Sequence, residues 1–376
     1  MRSLLDNFGR ISLRTRFWRL AELPWRWQYQ WRLERTPHSP RRKGPALDFG
    51  DALTPGKAGG VISGGRVKLL HFADEFSATA DFNILYLVSS APPRFALELV
   101  NWAQKRGVKI VWNQNGVAYP AWLGRRIEEI NGPMRELRAR ADHIFYQSAF
   151  CRDCADHFLG EVQIPSEIAF NCVDTKRFHP VDAAQTGECR ILTAGSHHES
   201  YRVFSVLETV AELKRRRFPV LLHLAGRLLW KGAKADVARK IRELGIKEQV
   251  RPIPPYRQSE APAIYQAANI LIHPKYKDPC PTVPIEAMAC GVPVIGSASG
   301  GMPELVSNGA GELLDVPESW ERNFWPEPTA MADAVERIMG QWSDYRAAAR
   351  ANAESRFSKE TWLAQHRRVF EKLAPA

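Results

Sequence analysis

The sequence predicts an α/β protein built from two consecutive parallel-sheet domains. Short runs of apolar and β-branched residues alternate with segments of helical length, which is the pattern of strand–helix–strand units. This pattern ends and restarts near residue 190. A chain of 376 residues is also longer than one core usually organises, so two domains are expected.

The first domain is predicted over residues 66–180. Its strands are expected at 67–72, 83–89, 108–112, 143–147 and 167–170, and its helices at 92–106 and 125–140. These strands are apolar along their whole length rather than alternating. Strands of that kind are covered on both faces, as in a parallel sheet between two layers of helices.

The second domain is predicted over residues 181–355, and a helix over 356–376 is expected to cross back to the first domain. Strands of the second domain are expected at 191–195, 219–225, 250–253, 270–273 and 292–295. Helices are expected at 203–217, 233–244 and 260–268, around 284–290, and beyond 328.

Residues 1–65 form a basic and aromatic leader that ends in a linker rich in proline and glycine from residue 36 onward. Through residue 45 the leader has eleven Arg or Lys against three acids, so it carries +8 of the formal charge of +11. Aromatic rings stand among these arginines, at Phe17, Trp18, Trp25, Trp27, Tyr29 and Trp31. Two interpretations stay open: contact with the headgroups of an anionic membrane, or an arm that is solvated or packed on the protein's own surface.

The distribution of charge and cysteine restricts the class of protein. Charge confined to the leader argues against nucleic-acid binding, which needs a basic surface spread over the fold. No run of 18 apolar residues is present, and no apolar segment follows the early arginines, so neither a membrane span nor secretion is expected. Six scattered cysteines suit burial in a reducing cytosol, and Cys151 and Cys154 lack the second pair of a structural zinc site. The predicted location is cytoplasmic, at the inner face of the cell membrane if the leader binds lipid.

Two acids stand in the most informative segment, residues 273–306. Asp278 lies in a loop after a predicted strand, and Glu286 lies eight residues later in a predicted helix. Prolines at 279, 281 and 284 keep the loop from becoming helical and allow the helix to begin near Pro284. Both carboxylates are therefore expected to face one cleft, where they accept hydrogen bonds from the hydroxyl groups of a ribose and a sugar.

A glycine turn follows the next predicted strand. Gly300 and Gly301 lack Cβ atoms, so their backbone N–H groups can approach an anion. Met302 and Pro303 are expected to begin a helix whose partial positive charge favours a phosphate.

The segment from Asp278 to Val306 resembles the donor-site signature of glycosyltransferase family four. That signature has two acids separated by seven residues and then a glycine-rich phosphate loop. Residues 141–148 and 170–180 are similar to the end of that family's first domain and to its interdomain stretch, so the resemblance spans about residues 110–306. It implies the GT-B fold, two Rossmann-like domains that face each other across a cleft, and retaining transfer of a sugar from a nucleotide diphosphate.

The resemblance also implies roles for single residues. Glu286 is expected to hold the nucleotide ribose, and Asp278 to contact hydroxyls of the transferred sugar. Gly300, Gly301 and Met302 are expected to offer backbone donors to that sugar or to the phosphates. The first acid of the signature is usually Glu, and the shorter Asp278 is expected to alter which sugar fits.

The family places an Arg and a Lys after the first strand of the second domain to neutralise the departing diphosphate. Here that loop begins Gly195-Ser196 and has no Arg directly after the glycine, so Arg202 is one candidate for the role. Arg227 and Lys231, which follow the next predicted strand, are the other candidates, with ordinary surface charge as the alternative. His197, His198 and Glu199 are adjacent in sequence and are not expected to converge on a metal ion.

In the first domain, Asn115 follows a predicted strand at a place where relatives often carry His. An amide cannot act as a base, so Asn115 is expected to position a substrate by hydrogen bonds. The alternative is a structural turn with Trp122 in the core.

Together these features predict a metal-independent retaining glycosyltransferase that has no permanently bound cofactor. Its donor is expected to be a nucleotide-diphosphate sugar and its acceptor a glycan or a lipid-linked molecule. Two alternatives stay open, a nucleotide-sugar epimerase of similar architecture and a catalytically degenerate sugar-nucleotide-binding protein. A dehydrogenase is excluded because no G-x-G-x-x-G follows a strand.

Overall fold

The computed structural model describes residues 22–50, 68–69, 71–72, 75–76, 78–181 and 187–374. The chain divides into two compact units. The first comprises Met1–Phe170, Ser319–Arg322 and Trp362–Ala376, and the second comprises Asn171–Glu318 and Asn323–Thr361.

A five-stranded parallel sheet forms the centre of the first unit. Its strands lie side by side in chain order: β1 (Leu47–Asp48), β2 (Ile84–Val88), β3 (Lys109–Gln114), β4 (His143–Tyr146) and β5 (Ser166–Ile168). All four pairings are parallel. Every residue of β2 is buried, as expected for a strand that is covered on both faces.

Among the described residues, this half of the chain contains the helices α1 (Leu23–Arg35), α2 (Ala96–Gln104), α3 (Pro120–Leu123), α4 (Ile127–Arg138) and α5 (Ala149–Leu159). Local sequence explains where α5 begins, because the side chain of Ser148 accepts a hydrogen bond from the Cys151 N–H at 3.0 Å and so satisfies one free donor of the first turn. Leu99 and Val100 of α2 pack into the apolar core that α2, α4 and α5 share with the sheet.

Two expectations for the first unit are wrong. The predicted strand at 67–72 is helical at the four positions that the structure describes there, 68, 69, 71 and 72. Leu69 and Phe72 are both buried, and their spacing of three places them on one side of a helix. The predicted linker also contains β1, because Leu47 and Phe49 are apolar and buried. Residues 51–65 of that linker lie outside the described residues.

The second unit contains a six-stranded parallel sheet and a separate two-stranded ribbon. In chain order its strands are β6 (Cys189–Thr193), β7 (Ser196–His197), β8 (Val220–Ala225), β9 (Arg227–Leu228), β10 (Val250–Ile253), β11 (Ile270–His273), β12 (Val294–Ser297) and β13 (Gly311–Leu314). The ribbon pairs β7 with β9, and the large sheet has the spatial order β10-β8-β6-β11-β12-β13.

This strand order places a topological switch point between β6 and β11. From β6 the chain first adds β8 and β10 on one side, and then adds β11, β12 and β13 on the other. The loops that follow β6 and β11 lead to opposite sides of the sheet, and this separation opens a crevice beyond the carboxyl ends of the two strands. Ligands bind in such crevices in open α/β sheets. The loops after these two strands are therefore where a site is expected.

Among the residues that the structure describes, the second half of the chain contains the helices α6 (Tyr201–Arg215), α7 (Ala233–Glu243), α8 (Ala261–Gln266), α9 (Thr282–Ala289), α10 (Met302–Leu305), α11 (Pro328–Gly340), α12 (Trp342–Phe357) and α13 (Lys359–Leu373). Val206 and Val210 of α6 and Val335 of α11 are fully buried in one core cluster. From Trp362 onward α13 belongs to the first unit, where His366 lies 3.2 Å from the Tyr86 hydroxyl.

The prediction of two α/β bodies with parallel sheets is confirmed. All six cysteines are buried, as expected. Within the described part of the chain, no helix combines the length and the apolar character needed to cross a bilayer.

Candidate functional site

The loops after β6 and β8 touch through two glycines. A Cβ placed on Gly226 would lie 2.1 Å from the carbonyl oxygen of Gly195, so no larger residue fits there. The Arg227 N–H donates to that same carbonyl at 3.0 Å, and the Arg227 guanidinium donates to the Ser196 hydroxyl at 3.0 Å. This contact brings three of the predicted phosphate-site residues together beside the switch point.

Arg202 joins this group from the first turn of α6. Its guanidinium is buried and donates to the Ser196 carbonyl at 2.7 Å. Burial lowers the pKa of Arg202, while the negative charges of Asp278 and Glu199 favour its charged form. Lys231, by contrast, is exposed and lies outside these contacts.

Asp278 follows β11 on the other side of the switch point, and it is buried. Its Oδ2 atom lies 2.7 Å from the ammonium nitrogen of Lys275 and 3.6 Å from Nε2 of His273. Burial alone acts to raise the pKa of Asp278, but Lys275 and His273 outweigh burial and hold that pKa well below its usual range. Asp278 is therefore a fixed carboxylate at neutral pH.

The glycine turn after β12 packs against the backbone of Asp278. A Cβ on Gly300 would lie 2.6 Å from the Asp278 carbonyl oxygen, and Gly300 has φ +65°, a conformation that favours glycine. The Gly301 N–H donates to this carbonyl at 2.8 Å, and the Met302 N–H donates to the Ser299 carbonyl at 3.3 Å. Of the three backbone donors expected here, those of Gly301 and Met302 thus already have acceptors within the protein.

The expected helix after this turn is α10, which has only four residues. A single turn aligns few peptide dipoles, so α10 supplies little of the partial positive charge expected at this place. Positive charge near Asp278 comes instead from side chains, those of Lys275 and Arg202.

Glu286 lies within α9, which begins at Thr282, two residues before the expected Pro284. Its carboxylate is buried and accepts hydrogen bonds from Gln258 Nε2 at 2.6 Å and from the Tyr265 hydroxyl at 2.7 Å. Burial raises the pKa of Glu286, and these two hydrogen bonds oppose that rise. Burial and the neighbouring Glu286 charge raise the pKa of Tyr265 well above its ordinary value, so this hydroxyl remains a donor.

The adjacent histidines do not form a metal centre. Burial lowers the pKa of His197 to about 3, and its Nε2 lies 3.2 Å from the Ala225 carbonyl oxygen. Glu199 accepts a hydrogen bond from Asn323 at 2.8 Å. Across the residues that the structure describes, no three His, Cys, Asp or Glu side chains are grouped so as to hold a metal ion.

In the first unit, Asn115 is the centre of a polar network at the carboxyl ends of three strands. Its Oδ1 accepts from Gln147 Nε2 at 2.9 Å and from the Lys68 ammonium at 3.1 Å. Its own N–H and Nδ2 donate to the hydroxyls of Ser89 at 2.8 Å and Ser90 at 2.5 Å. These contacts hold the Asn115 amide in one orientation. The alternative that placed Trp122 in the core is wrong, because Trp122 is 54% exposed.

A hydrogen bond joins the two groups of predicted site residues in the second unit, those after β6 and β8 and those after β11. Tyr201, at the start of α6, accepts a hydrogen bond on its hydroxyl from the Tyr276 N–H at 3.1 Å. This bond ties the group around Ser196 and Arg202 to the loop that carries Asp278.

Among the residues of this site that were not predicted from sequence are Lys275, Gln258 and Tyr265. Lys275 stands three residues before Asp278 in the same motif, so the spacing did contain a signal. Gln258 and Tyr265 are 28 and 21 residues from Glu286, and only the fold brings them to it.

Comparison with known proteins finds similarity mainly in the sequence of the second unit. Residues 174–356 match the family model for glycosyl transferases group 1. A D-inositol 3-phosphate glycosyltransferase of Corynebacterium jeikeium is 33% identical over 138 residues, a match that covers 36% of this chain and 30% of that protein. The chain thus spans less than a third of the length of this curated relative.

Solved structures share the fold over most of the chain. The Anabaena protein HepE in complex with UDP-glucose has a TM-score of 0.63 at 16% identity, with 81% of each chain covered. Sucrose-phosphate synthase from Thermosynechococcus elongatus has a TM-score of 0.61 at 17% identity, covering 81% of this chain and 76% of that one. The predicted GT-B class, with two Rossmann-like bodies, is confirmed. A glycosyltransferase is supported, and the alternative of an epimerase is not favoured.

Proposed function

We propose that this protein is a retaining glycosyltransferase of glycosyltransferase family four, which transfers a sugar from a nucleotide diphosphate to a glycan or a lipid-linked acceptor. The observation that carries the proposal is the contact between Asp278 and Gly300, which joins a buried carboxylate to a glycine turn at the switch point of the second sheet.

Each part of the donor has a matching group in this site. Glu286 accepts hydrogen bonds from the ribose hydroxyls, in a position where its carboxylate already receives two donors. Asp278 accepts from hydroxyls of the transferred sugar. Arg202 and Arg227 face the diphosphate from one side of the switch point, and the Gly300 N–H approaches it from the other.

Neutralisation of the leaving diphosphate is the main catalytic work expected of these residues. As the bond between the anomeric carbon and the diphosphate oxygen breaks, negative charge grows on the phosphate, and fixed guanidinium groups stabilise it without a metal ion. The acceptor hydroxyl forms its new bond on the face that the diphosphate leaves, and its proton passes to the departing phosphate oxygen. The new bond then has the configuration of the old one.

Lys231 has the weakest support among the proposed phosphate ligands because its side chain is exposed. Asn115 is proposed to orient the acceptor by hydrogen bonds, since its amide is held at the carboxyl end of β3 by four polar neighbours. We also infer that the protein works in the cytoplasm at the inner face of the cell membrane.

A panel of UDP-, GDP- and other nucleotide sugars tests this proposal. Release of the nucleoside diphosphate is measured with and without acceptor glycans, and the anomeric configuration of the product is determined by NMR. We expect turnover that needs an acceptor and a product with the donor's configuration. An inverted product would contradict retention. Binding of a nucleotide sugar with neither hydrolysis nor transfer would favour the catalytically degenerate alternative.

A further inference from the structure

Helix α1 has three strongly exposed tryptophan side chains. Trp25, Trp27 and Trp31 are 60%, 70% and 58% exposed. Among the tryptophans that the structure describes, only Trp122, at 54%, is also more than half exposed. Exposed tryptophan is costly in water because each ring carries a large apolar area. Trp27 and Trp31 are four residues apart and therefore share one side of the helix, which indicates a surface that is covered when the protein works.

The other side of α1 packs against the rest of the first unit, so the helix that carries the exposed rings is held in place. Tyr29 lies with its ring centroid 5.5 Å from that of Phe95, and Leu33 packs against the core of the unit. Arg26 donates to Glu98 at 2.7 Å through Nε. These contacts leave Trp27 and Trp31 on the outer side of the helix.

Ion pairs at the end of α1 strengthen this attachment. Glu34 lies 3.4 Å from the Lys105 ammonium and 3.3 Å from the Arg106 guanidinium. The one acid within α1 is thus turned toward the protein, while Arg32 and Arg35 add positive charge to the helix. The Arg35 guanidinium lies 3.9 Å from the centroid of the Trp31 ring.

We propose that the outer face of α1, formed by Trp27, Trp31 and Arg35, binds an anionic lipid membrane. Tryptophan is the side chain that best suits the boundary between headgroups and acyl chains, because its ring is apolar and its N–H is polar. Arginines beside the rings attract acidic headgroups. The formal charge of +8 over residues 1–45 has the same sign and adds to this attraction.

The geometry limits how the helix meets the lipid. With thirteen residues α1 is shorter than the roughly 20 needed to span a bilayer, and one side of it is occupied by protein contacts. The helix therefore lies along the membrane surface, with only the tryptophan rings inserted at the headgroup level. This inference deepens the membrane location proposed above and assigns it to named side chains.

Vesicle flotation of the full chain tests the surface directly. Vesicles of phosphatidylcholine alone are compared with vesicles of equal parts phosphatidylcholine and phosphatidylglycerol. We expect the protein to float with the anionic vesicles, to float much less with the neutral ones, and to be released by salt. The double variant Trp27→Ser/Trp31→Ser is expected to lower the partition coefficient by at least about tenfold. Arg35→Gln is expected to lower it about fivefold.

Trp122→Ser is the matched control because it removes a similarly exposed tryptophan from another part of the first unit. It is expected to float like the unaltered chain. Thermal unfolding of each variant establishes that it is folded, and transfer to a soluble acceptor measures the proposed activity separately. The inference is overturned if the unaltered chain does not float with anionic vesicles, or if the double variant floats equally well. Neither result would affect the proposed transferase activity.

Discussion

The carboxyl ends of the two parallel sheets carry different chemistry. In the second unit this end holds buried charges, the Asp278–Lys275 pair and the Arg202 guanidinium, together with a glycine turn that leaves room for backbone contact. In the first unit the corresponding end is built mainly from amides and hydroxyls around Asn115, with one buried ammonium group, that of Lys68. Parallel sheets alone therefore do not determine what each unit can bind.

The difference follows from what each substrate would require. A sugar diphosphate needs fixed positive charge and a carboxylate for its hydroxyls, and both are found near Asp278. An acceptor hydroxyl is neutral and needs only orientation, which the held amide of Asn115 suits. The comparison predicts that substitutions at this site in the second unit change donor affinity and the rate of transfer. Substitutions around Asn115 in the first unit are expected to change only the KM for the acceptor.

Asp278→Asn is expected to have the largest effect. The amide removes the negative charge between Lys275 and His273 and leaves the Lys275 ammonium without its carboxylate. We expect transfer to fall by about a hundredfold or more, measured as nucleoside diphosphate release. Asp333→Asn, which alters an exposed acid paired with Arg216 in the same unit, is expected to keep normal turnover. If Asp278→Asn retained near-normal turnover, the proposed role of this carboxylate would be wrong.

Gly300→Ala is expected to have the next largest effect. A methyl group there would lie 2.7 Å from the Asp278 backbone nitrogen, and φ +65° strains any residue with a Cβ by about 1–2 kcal/mol. We expect a donor affinity about tenfold lower and a melting temperature several degrees lower, measured by calorimetry. Gly340→Ala has no heavy atom within 4 Å of its new methyl group and serves as the matched control. Unchanged donor affinity in Gly300→Ala would show that the glycine turn is not part of the donor site.

Asn115→Ala tests the other side of the comparison. Loss of the amide is expected to raise the KM for the acceptor about tenfold, since it removes hydrogen bonds that orient the hydroxyl, while the Kd of the nucleotide sugar stays the same. Asn101→Ala, an exposed asparagine of α2 that pairs with Arg140 at 3.2 Å, is expected to change neither quantity. An equal loss of donor affinity in Asn115→Ala would show that the two units do not divide the work in this way.

Tyr265→Phe is expected to have the smallest effect, visible mainly in the pH dependence of donor binding. Burial raises the pKa of Glu286, and the Tyr265 hydroxyl opposes that rise by donating to the carboxylate. Donor binding needs the carboxylate, so affinity is full above this pKa and falls as the pH drops through it. Without the hydroxyl the pKa of Glu286 rises further, and the midpoint of the affinity loss is expected to move to higher pH.

A second tyrosine serves as a control for the general effect of losing a hydroxyl that donates to a carboxylate. The Tyr345 hydroxyl donates to Glu312 at 3.1 Å in the same unit, so Tyr345→Phe removes a similar contact away from the site. We expect its donor-binding profile to match that of the unaltered chain. A midpoint that moved downward in Tyr265→Phe would contradict the assignment of Glu286 as the ionising group.

Much of the fold was predictable because parallel strands leave a continuous apolar run. Every residue of β2 and β11 is buried, and both runs are visible in the sequence. Residues 67–72 show the limit of this rule, because a short apolar run is compatible with a helix as well as a strand. The ribbon of β7 and β9 was not predictable, since two-residue strands have no periodicity.

The candidate site was predictable only where its residues share a local motif. Asp278 and the glycine turn stand within one segment, so their proximity was expected from sequence and is found in the structure. Gln258 and Tyr265 reach Glu286 through the packing of α8 against α9 and the loop before α8, and no local spacing encodes that contact. The helix dipole at Met302 was overestimated because sequence does not show that α10 stops after four residues.

Isothermal titration of a nucleotide-diphosphate sugar with the unaltered chain and with Glu286→Ala is the most direct test of the donor site. The unaltered chain is expected to bind one donor per chain, and Glu286→Ala is expected to lose at least about a hundredfold in affinity because the ribose hydroxyls then face a cavity without an acceptor. Its melting temperature without ligand shows that the variant is folded. Donor binding by Glu286→Ala with unchanged affinity would contradict the central claim that these buried acids and the glycine turn hold a sugar nucleotide.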